Sequence, residues 1–78
     1  MRHRMSREDR KYNVRNWISN DYDLYQFACW CIESTDTYPD ATREFLRAYG
    51  QDRTPDGITY TYESVIPALI DVGQAQVA

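Results

Sequence analysis

Hydrophobic residues recur along this chain at helical spacing, and they fall into four groups separated by turn formers. Val14, Trp17 and Ile18 sit at i, i+3, i+4, which is one face of a helix. That spacing predicts a first helix over about residues 13–19. Leu24, Phe27, Ala28 and Cys31 form a second stripe, with Tyr25 and Ile32 beside it and Trp30 on its flank. It predicts a second helix running to about Ser34, with Cys29 and Glu33 toward solvent. Asn20 and Asp21 stand between the two groups, and either side chain can accept from the unpaired N–H groups of a helix's first turn. A third group, Ala41, Phe45, Ala48 and Tyr49, predicts a helix over about 40–49, with Pro39 at its start and Gly50 at its end. The fourth group, Val65, Ile66, Leu69 and Ile70, predicts a helix over about 65–72, capped by Ser64 and stopped by Gly73.

The interval between the third and fourth groups has a different pattern. Thr54-Pro55-Asp56-Gly57 is a turn signal, because Pro presets its dihedral and Gly accepts a positive φ. Ile58-Thr59-Tyr60-Thr61-Tyr62 alternates with period two. A lone strand needs a partner, so this stretch is expected to lie extended across the helices or to offer an edge to another chain. The expected fold is therefore all-α: a compact bundle of three or four short helices with one extended segment near residues 58–62. Helix 2 is expected at its centre.

A chain of 78 residues makes one domain with a thin core. The expected division is a basic arm over 1–11, a helical domain over 12–73 and a frayed tail over 74–78. Met5 is a second candidate start that would shorten the arm. No apolar stretch long enough for a signal peptide or membrane span is found, so a cytoplasmic protein is expected.

Charge divides the chain. Arg2, Arg4, Arg7, Arg10, Lys11 and Arg15 face only Glu8 and Asp9 in residues 1–15, a net of +4. The remainder has three arginines against ten acids, a net of −7. The six basic residues are candidates for contact with nucleic-acid phosphates. Asp21, Asp23, Glu33, Asp36 and Asp40 form the densest run of one sign, with no Lys or Arg among them. Asp21, Asp23, Asp36 and Asp40, flanked by Trp17, Tyr22, Trp30 and Tyr38, are candidates for docking on a basic protein surface in competition with nucleic acid. The plain alternative for both sets is solvated surface.

Catalysis and metal binding find little support. Cys29 and Cys31 lack a second pair, and the only histidine is His3. The three glycines are scattered, so no phosphate loop is formed. The carboxylate pairs Asp21/Asp23 and Asp52/Asp56 read as surface acids before they read as acid–base machinery. No enzyme activity and no cofactor are expected.

Two motifs resemble a family of small phage and plasmid proteins of unknown function. The first is Tyr12-Asn13-Val14, Trp17-Ile18, Asn20-Asp21 and Leu24-Tyr25; the second is Thr54-Pro55-Asp56-Gly57-Ile58, followed by Tyr60 and a final apolar helix. Arg10-Lys11 replaces the Glu-Thr common in that family, and Tyr12 replaces a frequent Trp. The resemblance implies a mobile-element setting. By analogy, it implies an inhibitor of a host nucleic-acid-targeting defence complex, of anti-CRISPR or anti-restriction type, acting as a DNA mimic. The alternative is a small nucleic-acid-binding accessory protein that works through its basic arm.

Overall fold

The computed structural model describes residues 6–77. Four helices make up most of it: α1 (Arg7–Asn20), α2 (Tyr22–Glu33), α3 (Tyr38–Tyr49) and α4 (Tyr62–Val77). No named strand occurs among the described residues, so the fold is the expected small all-α bundle.

Helix α1 begins six residues earlier than its apolar spacing predicts. Ser6 caps it, its hydroxyl accepting from the Asp9 N–H at 3.1 Å, and Glu8 and Asp9 complement the positive end of the helix. Residues 7–11, expected as a loose arm or frayed lead-in, are therefore helical. Arg2, His3 and Arg4 lie outside the described residues, as does the choice between Met1 and Met5.

Asp21 separates α1 from α2 with one residue. Its N–H donates to the Trp17 carbonyl at 2.9 Å, which closes α1. Its side chain accepts from the Leu24 N–H at 3.1 Å, which opens α2. Asn20 is the last residue of α1 and has no part in this cap. Thr37 caps α3 in the same way, accepting from the Asp40 N–H, with Pro39 in the first turn.

Helix α4 departs most from expectation. Thr61 is its cap: the Thr61 hydroxyl accepts from the Ser64 N–H at 3.2 Å, and the Ser64 hydroxyl accepts from the Thr61 N–H at 3.0 Å. This reciprocal pair is a capping box built from two hydroxyls. It starts the helix at Tyr62, and Pro67 then falls inside the helix rather than in its first turn. Gly73 does not end the helix, which continues to Val77. The Tyr38 ring lies directly over Gly73, so close that a Cβ there would overlap it.

The core is Val14, Ile18, Leu24, Ala28, Cys31, Ala41, Phe45, Tyr60, Val65, Ala68, Leu69 and Val72. Phe45 is fully buried and touches the rings of Phe27, Tyr49 and Tyr60. Phe27, expected in the core, is half-buried and stacks outward on exposed Trp30 at 5.7 Å between centroids. On α3, Ala41 and Phe45 are buried as predicted, but Thr42 is buried too and Ala48 is exposed. The Thr42 hydroxyl donates to the Tyr38 carbonyl at 2.8 Å, so its polar atom is satisfied and the residue packs as an apolar one.

Helix α4 packs on all three other helices, and its interface with α1 is the most extensive in the molecule. Helix α2, expected at the centre, also packs on all three others, so the two helices share that place. Arg7 pairs with Glu63 at 3.4 Å and Arg15 with Asp71 at 3.1 Å. The partners are eight residues apart on each helix, so α1 and α4 run parallel and in register. The loop over residues 50–61 makes this possible by carrying the chain back along α1. Gly57 turns it at φ 87°, and its N–H donates to the Thr54 carbonyl at 2.7 Å. The extended segment finds its partner within the loop, where Thr59 pairs antiparallel with Arg53 in an isolated bridge. Tyr60, within the loop, is buried against the rings of Phe45 and Tyr49.

Candidate functional site

Because α1 and α4 are parallel, both begin at the same end of the molecule. A groove of about 660 Å³ opens there. Arg7, Arg10 and Lys11 line it from α1, Arg53 and Ile58 from the loop, and Tyr62 and Glu63 from the first turn of α4. Four cations and one carboxylate line it; Arg7 pairs with that carboxylate, Glu63, at 3.4 Å, and Lys11 pairs with Glu8 of its own helix at 3.5 Å, which leaves Arg10 and Arg53 without a carboxylate partner in the lining. The positive ends of two helix dipoles add to the same field. Tyr62 is 40 % exposed. A groove of this composition has donors and positive charge for an anion.

Arg15 does not share this groove. It pairs with Asp71 and lies 5.9 Å from the centre of the Tyr12 ring. The predicted basic set is thus divided: Arg7, Arg10 and Lys11 converge, Arg15 stands apart, and Arg2 and Arg4 lie outside the described residues. Arg53 and Tyr62 were missed by the sequence reading.

The acidic set is divided as well. Asp21 and Asp23 sit at the start of α2, in a cleft of about 360 Å³ shared with Tyr49, Asp52, Arg53 and Tyr60. Asp36 and Asp40 lie beyond the other end of α2 or on α3, separated by a helix of 12 residues that spans about 18 Å. There Asp40 pairs with Arg43 at 3.3 Å, and Asp36 shares a depression with Arg43 and Arg47. The eight candidates therefore do not form one face. Tyr22, 74 % exposed, remains beside the Asp21–Asp23 cleft, while Trp30, 52 % exposed, lies farther along α2. Tyr38 is engaged with Gly73. Burial raises the Tyr60 hydroxyl above its ordinary pKa, and the fields of Tyr49, Asp21 and Asp52 push the same way.

Trp17 has a structural partner. Its indole N–H donates to the Asp56 carboxylate at 3.0 Å, and the Asn13 amide donates to the same oxygen at 2.7 Å. These two bonds, the indole first, hold the Asp56 carboxyl below its ordinary pKa. The Asn13 carbonyl oxygen accepts from the Thr54 hydroxyl at 2.9 Å, and that hydroxyl accepts from the Ile58 N–H at 3.1 Å. The two sequence motifs, about 40 residues apart, thus fasten the loop to α1. Asn13, Trp17, Thr54 and Asp56 also position Arg53 between the two clefts, both of which it lines.

The remaining chemistry is sparse. Cys29 is half-buried and Cys31 fully buried, and no disulfide joins them. Burial, with a smaller contribution from Glu44, pushes the Cys31 thiol up to about 11. Such a thiol stays protonated and unreactive near neutral pH. Among the described residues, no three His, Cys, Asp or Glu side chains converge closely enough to hold a metal ion, including the carboxylates of the acidic cleft. No helix among them is long and apolar enough to cross a membrane. No protein-family model matches the chain, and no curated protein or solved structure shows significant similarity to it.

Proposed function

We propose that this protein is a non-catalytic binding module whose groove between α1 and α4 grips the phosphates of a nucleic acid. The observation behind this reading is the convergence of Arg53 with Arg7, Arg10 and Lys11 at the shared start of two parallel helices. Fixed cations at a helix N-terminus suit a phosphate oxygen, and binding of this kind weakens as salt rises. The acidic remainder of the molecule repels phosphate elsewhere and confines contact to this end. The test is fluorescence anisotropy with a labelled oligonucleotide over a salt series. The double variant Arg10→Ala/Arg53→Ala is expected to lower the slope of log K against log salt by about 1.4 for a single strand or 1.8 for a duplex, two phosphate contacts being removed. An unchanged affinity and slope would refute the proposal.

A second reading is favoured by Asp52, which joins Asp21 and Asp23 although it is distant in sequence. Three carboxylates with exposed Tyr22 nearby suit docking on an Arg- and Lys-lined surface. The resemblance of the two motifs to phage and plasmid proteins supports a target in a host defence complex, of anti-CRISPR or anti-restriction type, in the host cytoplasm. The first reading makes the protein a nucleic-acid-binding accessory; the second makes it an inhibitor that excludes nucleic acid from its target.

A further inference from the structure

We infer that the groove takes single-stranded nucleic acid, with phosphates on Arg7, Arg10, Lys11 and Arg53 and a base stacked on Tyr62; this rests on the reading of the groove as a phosphate site. Charge alone does not distinguish single strands from duplexes, since both present phosphates. The apolar part of the groove does. Tyr62 is 40 % exposed and lines the groove together with half-buried Ile58, so a ring and an aliphatic surface share the groove with the cations. Ring faces of bases are hidden within a duplex and accessible in a single strand, where stacking on aromatic side chains is the usual sequence-tolerant contact.

Position supports the same conclusion. Tyr62 is the first residue of α4, directly after the Thr61 cap, and its backbone is held by a helix whose next turn is buried through Val65. The Cα that carries the ring therefore stands at a fixed place relative to the loop. Arg53 lines the same groove from the loop, kept there by the Thr59 bridge and by its own contact with the Gly57 carbonyl at 3.5 Å. Cations and ring share one groove, so a strand whose phosphates meet the cations has the ring within the same site, as stacking needs. A ligand recognised by charge alone, such as an acidic peptide, would leave the ring without a role.

The experiment uses the full chain and three probes of matched length: a labelled thymidine oligonucleotide of about 12 nucleotides, a duplex of about 12 base pairs, and a polyglutamate peptide. The single strand is expected to bind more tightly than either other probe. Tyr62→Ala should weaken it about five- to hundredfold, Tyr62→Phe should restore it, and duplex binding should not change. Tyr62→Gln serves as a second ring-less variant, and melting curves establish that each variant is folded. If no probe binds, the phosphate site itself fails. If single strand and duplex bind equally and the folded Tyr62 variants match the parent, the phosphate site stands and the single-strand inference is overturned. Polyglutamate binding as tight as the oligonucleotide overturns it too.

Discussion

Replacing Gly73 with Ala sets two well-defined effects against each other. Gly73 lies within α4, four residues from the end of the described helix, and is buried. In a helix interior, Ala is favoured over Gly by about 0.8–1 kcal/mol, so propensity alone predicts a more stable protein. The structure predicts the opposite. An added methyl group would overlap the Tyr38 hydroxyl and approach two ring carbons at 2.8 and 2.9 Å. The ring has to move, and it is held at the first residue of α3, whose carbonyl is engaged by Thr42. Overpacking of this kind costs about 1–3 kcal/mol, which leaves a net loss of about 1 kcal/mol once propensity is subtracted. For a domain of this size, a loss of that order lowers the melting temperature by about 4–8 °C. Removing the ring removes the conflict. In a Tyr38→Ala background, Gly73→Ala should therefore stabilise by about 1 kcal/mol, giving a coupling near 2 kcal/mol across the double-mutant cycle. The assay is thermal or urea unfolding of the four proteins, followed by circular dichroism. If Gly73→Ala stabilises both backgrounds equally, Tyr38 does not cover Gly73, and the docking of α3 against α4 is other than described.

Two further outcomes are expected. Asp23→Lys/Asp52→Lys spares the Asp21 cap and reverses the acidic cleft; it should slow association with a cationic partner captured from a host lysate, most of all at low salt, and an unchanged on-rate in surface plasmon resonance would reduce the cleft to solvated surface. Asp56 has a folded pKa below its ordinary 3.8, so its contribution to stability is complete above that value and is lost as pH falls through the lower folded one. The melting-temperature gap between the parent and Asp56→Ala should accordingly close as pH is lowered from about 5 toward 2, and a gap independent of pH would contradict the Trp17–Asn13–Asp56 contact.

Much of the architecture was legible because it depends on local rules. The apolar spacings located all four helices, Asp21 behaved as a cap, and Gly57 adopted the positive φ that its turn signal required. The start of α1 was illegible because residues 7–13 have no apolar period, and only Ser6 with Asp9 marks the cap. The start of α4 was misplaced because Thr61 and Ser64 are both good caps, and only their mutual bonding decides between them. Gly73 resembled a helix stop, whereas its lack of a side chain serves packing against Tyr38. The site was less legible than the fold. Arg53 and Asp52 reach their clefts through the loop's path, which no spacing along the chain reports. A signal for that path did exist in the pairing of Asn13 and Trp17 with Thr54 and Asp56, two motifs whose contact only the folded structure reveals.

The parallel pairing of α1 with α4 bears on how the protein is made. Of the four helices, α1 leaves the ribosome first and α4 last, yet each has its largest interface with the other. Until α4 is synthesised, α1 has only α2 to pack on and lacks its larger partner, and α1 alone is too short to be a stable helix in water. Completion of the bundle therefore waits for α4, and the surface that α1 turns toward it stays exposed until then. The polar first turns of α1 are then useful in a second way, since Arg7, Glu8, Asp9, Arg10 and Lys11 keep that end of the helix solvated until its partner helix arrives.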